Sequence, residues 1–283
     1  MMRHFTKMHG CGNDYVYFDC TKEPLPDSAS AAVQMSDRHT GIGGDGIILI
    51  KKSDIADFYM EMYNLDGSQG KMCGNGIRCV GKFVYDKGLT DKTEITVETL
   101  SGVKHLSLRV RRGEVYEVTV DMGHPSVNPA DIPLCLPEPA IGKKLAVGGT
   151  EVAFTAVSMG NPHAVIPVAS TKTAPVKELG MLIEHHELFP EGVNTEFIEV
   201  LGRREINMRV WERGSGETMA CGTGACASAY ACYRLGLTEP EVLVHLLGGD
   251  LRIKYEEETD TVFMTGPAMT VFEGEILWPP KKA

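Results

Sequence analysis

The sequence predicts an α+β fold of two pseudo-symmetric halves, each strand-rich and each holding a buried helix, and three observations predict it. The first is an internal repeat. Shifted by 148 positions, residues 12–90 meet 160–238 without a gap and match at Gly12, Asn13, Gly44, Ile50, Met60, Cys73, Gly74, Gly76, Tyr85, Gly88, Leu89 and Thr90. Seven of these twelve matches lie between Cys73 and Thr90, so Cys-Gly-x-Gly through Gly-Leu-Thr occurs twice. The second observation is a set of β-branched and aromatic runs at 15–18, 47–50, 58–63, 95–99, 106–110 and 115–120, too short for useful helices. The third is a change of period after each Cys-Gly-x-Gly, where Ile77, Val80, Gly81 and Val84 fall at helical spacing.

Taken in order, the chain opens Met1-Met2-Arg3-His4-Phe5-Thr6-Lys7, with no apolar run of signal-peptide length, and a strand is expected almost at once. The first predicted helix stops at Lys87-Gly88. Pro125, Pro129, Pro133, Pro137 and Pro139 then mark a stretch that reads as linker and edge structure. The second predicted helix, Ala225 to Leu235, is rich in alanine and ends with Arg234 and a Gly236 stop. The last strands, 262–264 and 271–277, have no repeat partner and are expected to return to the first half. The expected N-terminal half is 1–121 plus about 268–283, and the C-terminal half is 122–267, with 122–150 linker-like. The end, Trp278-Pro279-Pro280-Lys281-Lys282-Ala283, carries no motif.

Composition narrows the function. The 283 residues are 43% apolar and 23% charged, ordinary for a globular protein, and the net charge of −10 opposes phosphate-backbone binding, so no nucleic-acid partner is expected. The longest apolar stretches, Gly46 to Ile50 and Val152 to Ser158, fall far short of the ~20 residues a bilayer crossing needs, and no membrane partner is expected. The eight cysteines lack the spacing of a disulfide scaffold. They read as reduced thiols in a cytoplasmic compartment, with plastid stroma after loss of a transit peptide as the alternative.

Glycine, 31 of 283 residues, exceeds the usual ~7% and marks tight turns or backbone held close to ligands. Cys73 and Cys221 each open a predicted helix, where the positive end of the helix dipole is expected to shift a thiol toward thiolate. Gly74-Asn75-Gly76 and Gly222-Thr223-Gly224 are each expected to turn backbone N–H groups toward a carboxylate or oxyanion. Cys20, Cys79, Cys135, Cys226 and Cys232 read as buried structural residues. The cysteine spacing offers no zinc knuckle, so no metal is expected. Gly41-Ile42-Gly43-Gly44-Asp45-Gly46 formally satisfies G-x-G-x-x-G, but an apolar strand-like run follows where a dinucleotide fingerprint needs a helix, and it reads as a turn. With no phosphate loop and no lysine in a pyridoxal context, no cofactor is expected. Two activated thiols on equivalent halves suit stereoinversion in a cleft, one thiolate removing a proton while the opposite thiol delivers another.

Five motifs carry a more specific signal: His9-Gly10-Cys11-Gly12-Asn13-Asp14-Tyr15, Tyr63-Asn64-x-Asp66-Gly67-Ser68, Met72-Cys73-Gly74-Asn75-Gly76-x-Arg78-Cys79, Gly160-Asn161-Pro162-His163, and Val210-Trp211-Glu212-Arg213 running on to Cys221-Gly222-Thr223-Gly224-Ala225. In this order they closely resemble the diaminopimelate epimerase family. The resemblance implies two similar domains, each a highly curved sheet or barrel around a central helix. It also implies pyridoxal-independent interconversion of LL- and meso-2,6-diaminopimelate, a step toward lysine, and is compatible with a homodimer. It makes Cys73 and Cys221 the acid/base pair, with His163 and Glu212 helping to poise protonation. Asn13, Asn64, Asn161, Asn194, Arg213 and also Glu212 would hold the distal amino acid end, and backbone N–H groups around Gly74, Asn75, Gly222 and Thr223 the reacting carboxylate. Two readings stay open beside it. One is another cofactor-independent racemase, such as a proline racemase relative, without the distal-end binders; the other is a redox or metal-binding protein that uses the cysteines as sensor thiols.

Overall fold

The computed structural model describes residues 1–279, and these form two compact units, Met1–Val120 with the described part of Gly266–Ala283, and Asp121–Thr265. Pro280 to Ala283, the end of the segment expected in the first half, lie outside the described residues.

In the first unit β1 (Met2–Gly10) and β2 (Asn13–Asp19) form a hairpin whose two-residue turn, Cys11-Gly12, has both residues at positive φ, 52° and 83°. Two consecutive left-handed residues make the turn that matches strand twist, and the glycine supplies its second position without strain. Asn13 is thereby fixed as the first residue of β2. A crossover through α1 (Ser28–Ser36) leads to β3 (Gly46–Lys51), parallel to β2. Its sequence, Gly-Ile-Ile-Leu-Ile-Lys, is buried on both faces, as parallel strands require. β4 (Phe58–Asn64) returns antiparallel, and β5 (Gln69–Gly70) pairs with it. Next comes α2 (Gly74–Asp86), followed by β6 (Glu94–Thr99), parallel to β4, and the antiparallel pair β7 (Gly102–Arg111) and β8 (Glu114–Gly123). Every residue from Gly74 to Val84 is buried. A helix covered all round must lie inside its sheet, and α2 packs on β1, β2 and β7.

The second unit repeats this plan. After β9 (Lys143–Val147), β10 (Thr150–Ser158) pairs with β11 (Pro162–Pro167), and a crossover through α3 (Val176–Glu184) leads to β12 (Asn194–Gly202), parallel to β11. β13 (Glu205–Glu212) and β14 (Gly216–Thr218) follow, then α4 (Gly222–Arg234), then β15 (Glu241–Leu246), β16 (Gly249–Glu256) and β17 (Thr261–Gly266). The 148-residue offset survives in the pairing register: Tyr15 faces Gly46 as His163 faces Asn194, and Met62 faces Gly70 as Val210 faces Thr218. β18 (Met269–Leu277) pairs antiparallel with β1 in the first unit, whereas β17, also expected there and expected to lack a repeat partner, belongs to the second unit and falls at the 148-residue offset from β8.

Three further expectations need correction. The proline-bearing segment is no linker: Ile132, Leu134, Ala140, Leu145 and Val147 are buried in the second unit's core with Phe154, Phe189 and Phe197. The prolines turn the chain while the apolar residues between them pack. Trp278, read as motif-free tail, is buried and donates its indole N–H to the Pro26 carbonyl at 2.7 Å. Among the cysteines expected to be buried, Cys79, Cys226 and Cys232 are buried, but Cys135 is exposed and Cys20 only partly covered. Burial pushes the Cys79 thiol up to about 11 and that of Cys232 up to about 12, which suits inert residues.

Candidate active site

Each unit presents a cysteine at the N-cap of its central helix. Cys73 has φ −130° and ψ 119°, Cys221 φ −120° and ψ 113°, both extended. Each sulfur accepts a hydrogen bond from the backbone N–H three residues on, Gly76 N–H to Cys73 Sγ at 3.3 Å and Gly224 N–H to Cys221 Sγ at 3.4 Å. The geometry is that of a serine or aspartate cap, with sulfur in place of oxygen. An ideal Cβ at Gly76 would lie 2.7 Å from Ile48 Cδ1, and one at Gly224 2.6 Å from Glu196 Oε1, so both helices need glycine here to approach the strand beneath.

Around Cys73 the first unit gathers amides. The thiol donates to Asn13 Oδ1 at 3.1 Å, and the Asn13 amide N–H is held by Asp45 Oδ2 at 2.7 Å. Asp45 also takes the Asp14 backbone N–H at 3.1 Å and shares Arg38 with Asp14. The Gly41–Gly46 segment thus forms the turn that delivers Asp45 to Asn13. Asn75 is buried, its side-chain oxygen accepting from Arg78 at 2.8 Å, so what the helix end offers at this residue is its backbone. Asn64 ends β4 and donates to Ser68 at 3.0 Å, inside the Asn-Leu-Asp-Gly-Ser turn.

Around Cys221 the second unit gathers ionisable groups. The thiol lies 3.5 Å from Thr223 Oγ1. The Asn161 amide N–H reaches the same hydroxyl at 3.3 Å, and Asn161 Oδ1 faces His163 Nε2 at 3.0 Å. On its other side His163 Nδ1 meets Glu196 Oε1 at 2.7 Å. Glu212 takes hydrogen bonds from Thr218 and from the Cys221 thiol. Asn194 is buried, donating to the Pro162 carbonyl and accepting the Arg213 backbone N–H, each at 2.9 Å. The exposed Arg213 side chain is held at 2.8 Å by the Glu191 carbonyl. The predicted residues of this half therefore fall into two linked groups, Asn161, His163, Glu212, Cys221, Gly222 and Thr223 in one, Asn194 and Arg213 in the other.

The electrostatics depart from expectation. Burial pushes the Cys221 thiol well above the ordinary thiol range, with the nearby carboxylates of Glu212 and Glu196 adding to it. The helix end and Thr223 pull the other way and lose, because a dipole worth ~0.5 charge cannot offset desolvation plus two like charges. Burial likewise raises Glu212, against the hydrogen bonds from Thr218 and Cys221. Sequence reasoning missed Glu196 and Asp45. For Glu196 a signal existed: the repeat pairs it with Ile48, a buried apolar position on the equivalent strand.

Comparison with known proteins agrees in sequence and fold. The sequence pattern of the family described as diaminopimelate epimerase matches residues 5–128 and 155–271. A diaminopimelate epimerase of Agathobacter rectalis is 54% identical over 280 residues, covering 96% of this chain and 98% of its own. One from Acetivibrio thermocellus is 50% identical over 273 residues, at 96% and 98% coverage. Among solved structures, a hydroxyproline epimerase from Agrobacterium vitis superposes with a TM-score of 0.71 at 16% identity, over 99% of this chain and 94% of that one. A phenazine biosynthesis protein of the PhzF family from Bacillus anthracis gives the same TM-score and identity over 98% and 99%. These two likenesses show a shared fold.

Proposed function

Since the chain belongs to the diaminopimelate epimerase family and is an isomerase, we propose that it interconverts LL- and meso-2,6-diaminopimelate by proton transfer between substrate and two thiols, without metal or cofactor. The observation that carries this reading is the duplicated N-cap cysteine, the same sulfur held by the same backbone N–H in both units. Stereoinversion needs one group to take a proton and an equivalent group to give one. In one direction the Cys73 thiolate takes the α-proton, the electron pair of the broken C–H bond spreads into the carboxylate, and the Cys221 thiol protonates the carbon from the opposite face. The reverse direction exchanges the roles.

A weak carbon acid calls for a strong base. The burial that makes the Cys221 thiolate scarce also makes it basic, so a high thiol pKa serves the chemistry once the proton has been placed. Glu212 and His163 set that placement from beside Cys221. Backbone N–H groups at Gly74, Asn75, Gly222 and Thr223 would meet the charge that develops on the carboxylate. Asn13, Asn64, Asn161, Asn194, Glu212 and Arg213 would fix the distal amino acid end, a cation for its carboxylate and oxygens for its ammonium.

The test is to incubate the reduced protein with LL-diaminopimelate in deuterated water, without added metal or cofactor. Meso product carrying solvent deuterium, unaffected by chelator and abolished by thiol alkylation, is the expected result. No exchange into this substrate would overturn the reading, and exchange into proline would favour a racemase instead.

A further inference from the structure

We propose that Glu196 is a positioning residue for the Cys221 half of the site: it fixes the proton on His163 Nδ1 and leaves Nε2 as the ring nitrogen that works toward the thiol. Within the reaction this rests on the function proposed above, although its physical content does not.

Glu196 sits on β12 with its side chain fully buried, and its only hydrogen-bond partner among the described residues is His163, itself fully buried. Oε1 accepts from Nδ1 at 2.7 Å, while Oε2 has no partner. A buried carboxylate with one orphaned oxygen is expensive to keep. The equivalent position in the first unit shows the cheaper solution, since Ile48 occupies it, fully buried in the same strand. The fold accepts an apolar side chain here, so the second unit retains an acid for something other than packing.

What the acid does follows from the hydrogen-bond order. A carboxylate only accepts, so Nδ1 must donate. With Nδ1 committed, Nε2 is the ring position whose proton can come and go; it faces Asn161 Oδ1, which like the carboxylate only accepts, so that contact forms as Nε2–H to Oδ1, and from Asn161 the contacts run to Thr223 and to Cys221 Sγ. Glu196 stands at one end of this chain and the reacting sulfur at the other, and Glu212 accepts a hydrogen bond from that sulfur. The ionisable groups facing the ring and thiol from the surrounding elements are Glu196 on β12, Glu212 on β13 and Cys221 at the start of α4. Without Glu196 nothing holds a proton on Nδ1, and a neutral ring would place its single proton on Nε2, where Asn161 Oδ1 accepts it.

The experiment reads the ring directly. In protein carrying ring-labelled histidine, with the His163 signals assigned by loss in H163Q, nitrogen NMR is expected to show Nδ1 protonated throughout the range in which the protein is folded. In E196I, which installs the first unit's residue, that signature is expected to disappear, and kcat to fall about 10–100-fold with little change in KM, by analogy with loss of the carboxylate that orients a metal-bound histidine. E196Q, which keeps an acceptor but not the charge, should retain more of both. A wild-type Nδ1 without its proton would overturn the proposal, as would an E196I protein that keeps the wild-type ring signature and kcat. Because the spectrum needs no turnover, it reports on the pair whether or not diaminopimelate is the substrate.

Discussion

The two thiol sites share a backbone and differ in almost everything around it. Cys73 and Cys221 have matching dihedrals, matching caps and helices that approach equivalent strands equally closely. Yet the three positions of the first unit that correspond to His163, Glu196 and Glu212 hold Tyr15, Ile48 and Asn64. Backbone-level features have been kept by both halves because each must present a sulfur to a helix end. Side-chain features have diverged: Cys221 lies among His163, Glu196 and Glu212, whereas Cys73 meets Asn13, an amide held in turn by Asp45. A duplicated fold can thus keep its backbone geometry in common while the side chains around the two equivalent sulfurs differ, and the proposed proton transfer gives that difference something to do.

The deepest test of that difference asks whether the sulfurs are equal partners despite unequal surroundings. C73S and C221S are each expected to lower kcat on the order of a thousandfold or more, because a hydroxyl of far higher pKa replaces the thiol in proton transfer. Steady-state epimerisation by each purified variant checks this. A near-normal rate from either would make one sulfur a bystander and end the two-base reading.

A smaller effect separates the surroundings. E212Q is expected to slow epimerisation about 100-fold, the lower range for a lost acid/base group. It should also move the Cys221 alkylation midpoint. In the folded protein the thiolate of Cys221 is disfavoured first by burial and next by Glu212, so its reaction with iodoacetamide should set in only above the ordinary thiol range. Removing the Glu212 charge relieves part of that opposition, and the midpoint should fall. Peptide mapping with Cys73 as internal reference measures it, and a midpoint that stays put or rises would remove Glu212 from the thiol's electrostatics.

Stability sharpens the same comparison. Gly76→Ala meets the free end of Ile48, which can turn aside, whereas Gly224→Ala meets an oxygen of Glu196 already held at 2.7 Å by His163. Overpacking of this kind costs about 1–3 kcal/mol, and G76A should lie at the low end and G224A at the high end. Denaturant unfolding of the two variants decides it; equal costs would mean the Glu196 pair yields as easily as an isoleucine methyl.

Much of this was legible beforehand, and the physical reasons are specific. Strand runs, the two buried helices and the 148-residue register could be read because period and turn residues are local properties. The duplicated Cys-Gly-x-Gly could be read because a tight helix start constrains its residue types. What stayed hidden depends on three-dimensional neighbours. The pKa of Cys221 is set by burial and by carboxylates on other strands, which no helix-dipole argument contains. Asp45 reaches Asn13 from a turn that reads only as glycine-rich. The segment at 125–139 looks like a linker because prolines advertise themselves more loudly than the apolar residues they space. Trp278 shows its packing only once β18 is seen beside β1.

The smallest effect concerns the folded stability of one half alone. On β15 of the second unit, His245 takes Glu205 through Nε2 and Asp250 through Nδ1, each at 2.8 Å. Where His245 pairs with Asn207, the first unit pairs Glu98 with Tyr59, so this histidine has no counterpart. Hydrogen bonds to Glu205 and then Asp250 raise its pKa in the folded state. A raised folded pKa means stabilisation fully present below the unfolded value, near 6.5, and lost as pH rises through the folded value. The carboxylates are about half exposed, 51% and 56%, so solvent screening keeps the contribution below about 1 kcal/mol. The denaturation midpoint of the wild type should therefore fall slightly relative to H245Q between pH 6 and the alkaline side of the histidine range. Parallel unfolding curves across that range would show that the ion pairs to Glu205 and Asp250 add nothing to the stability of the folded state.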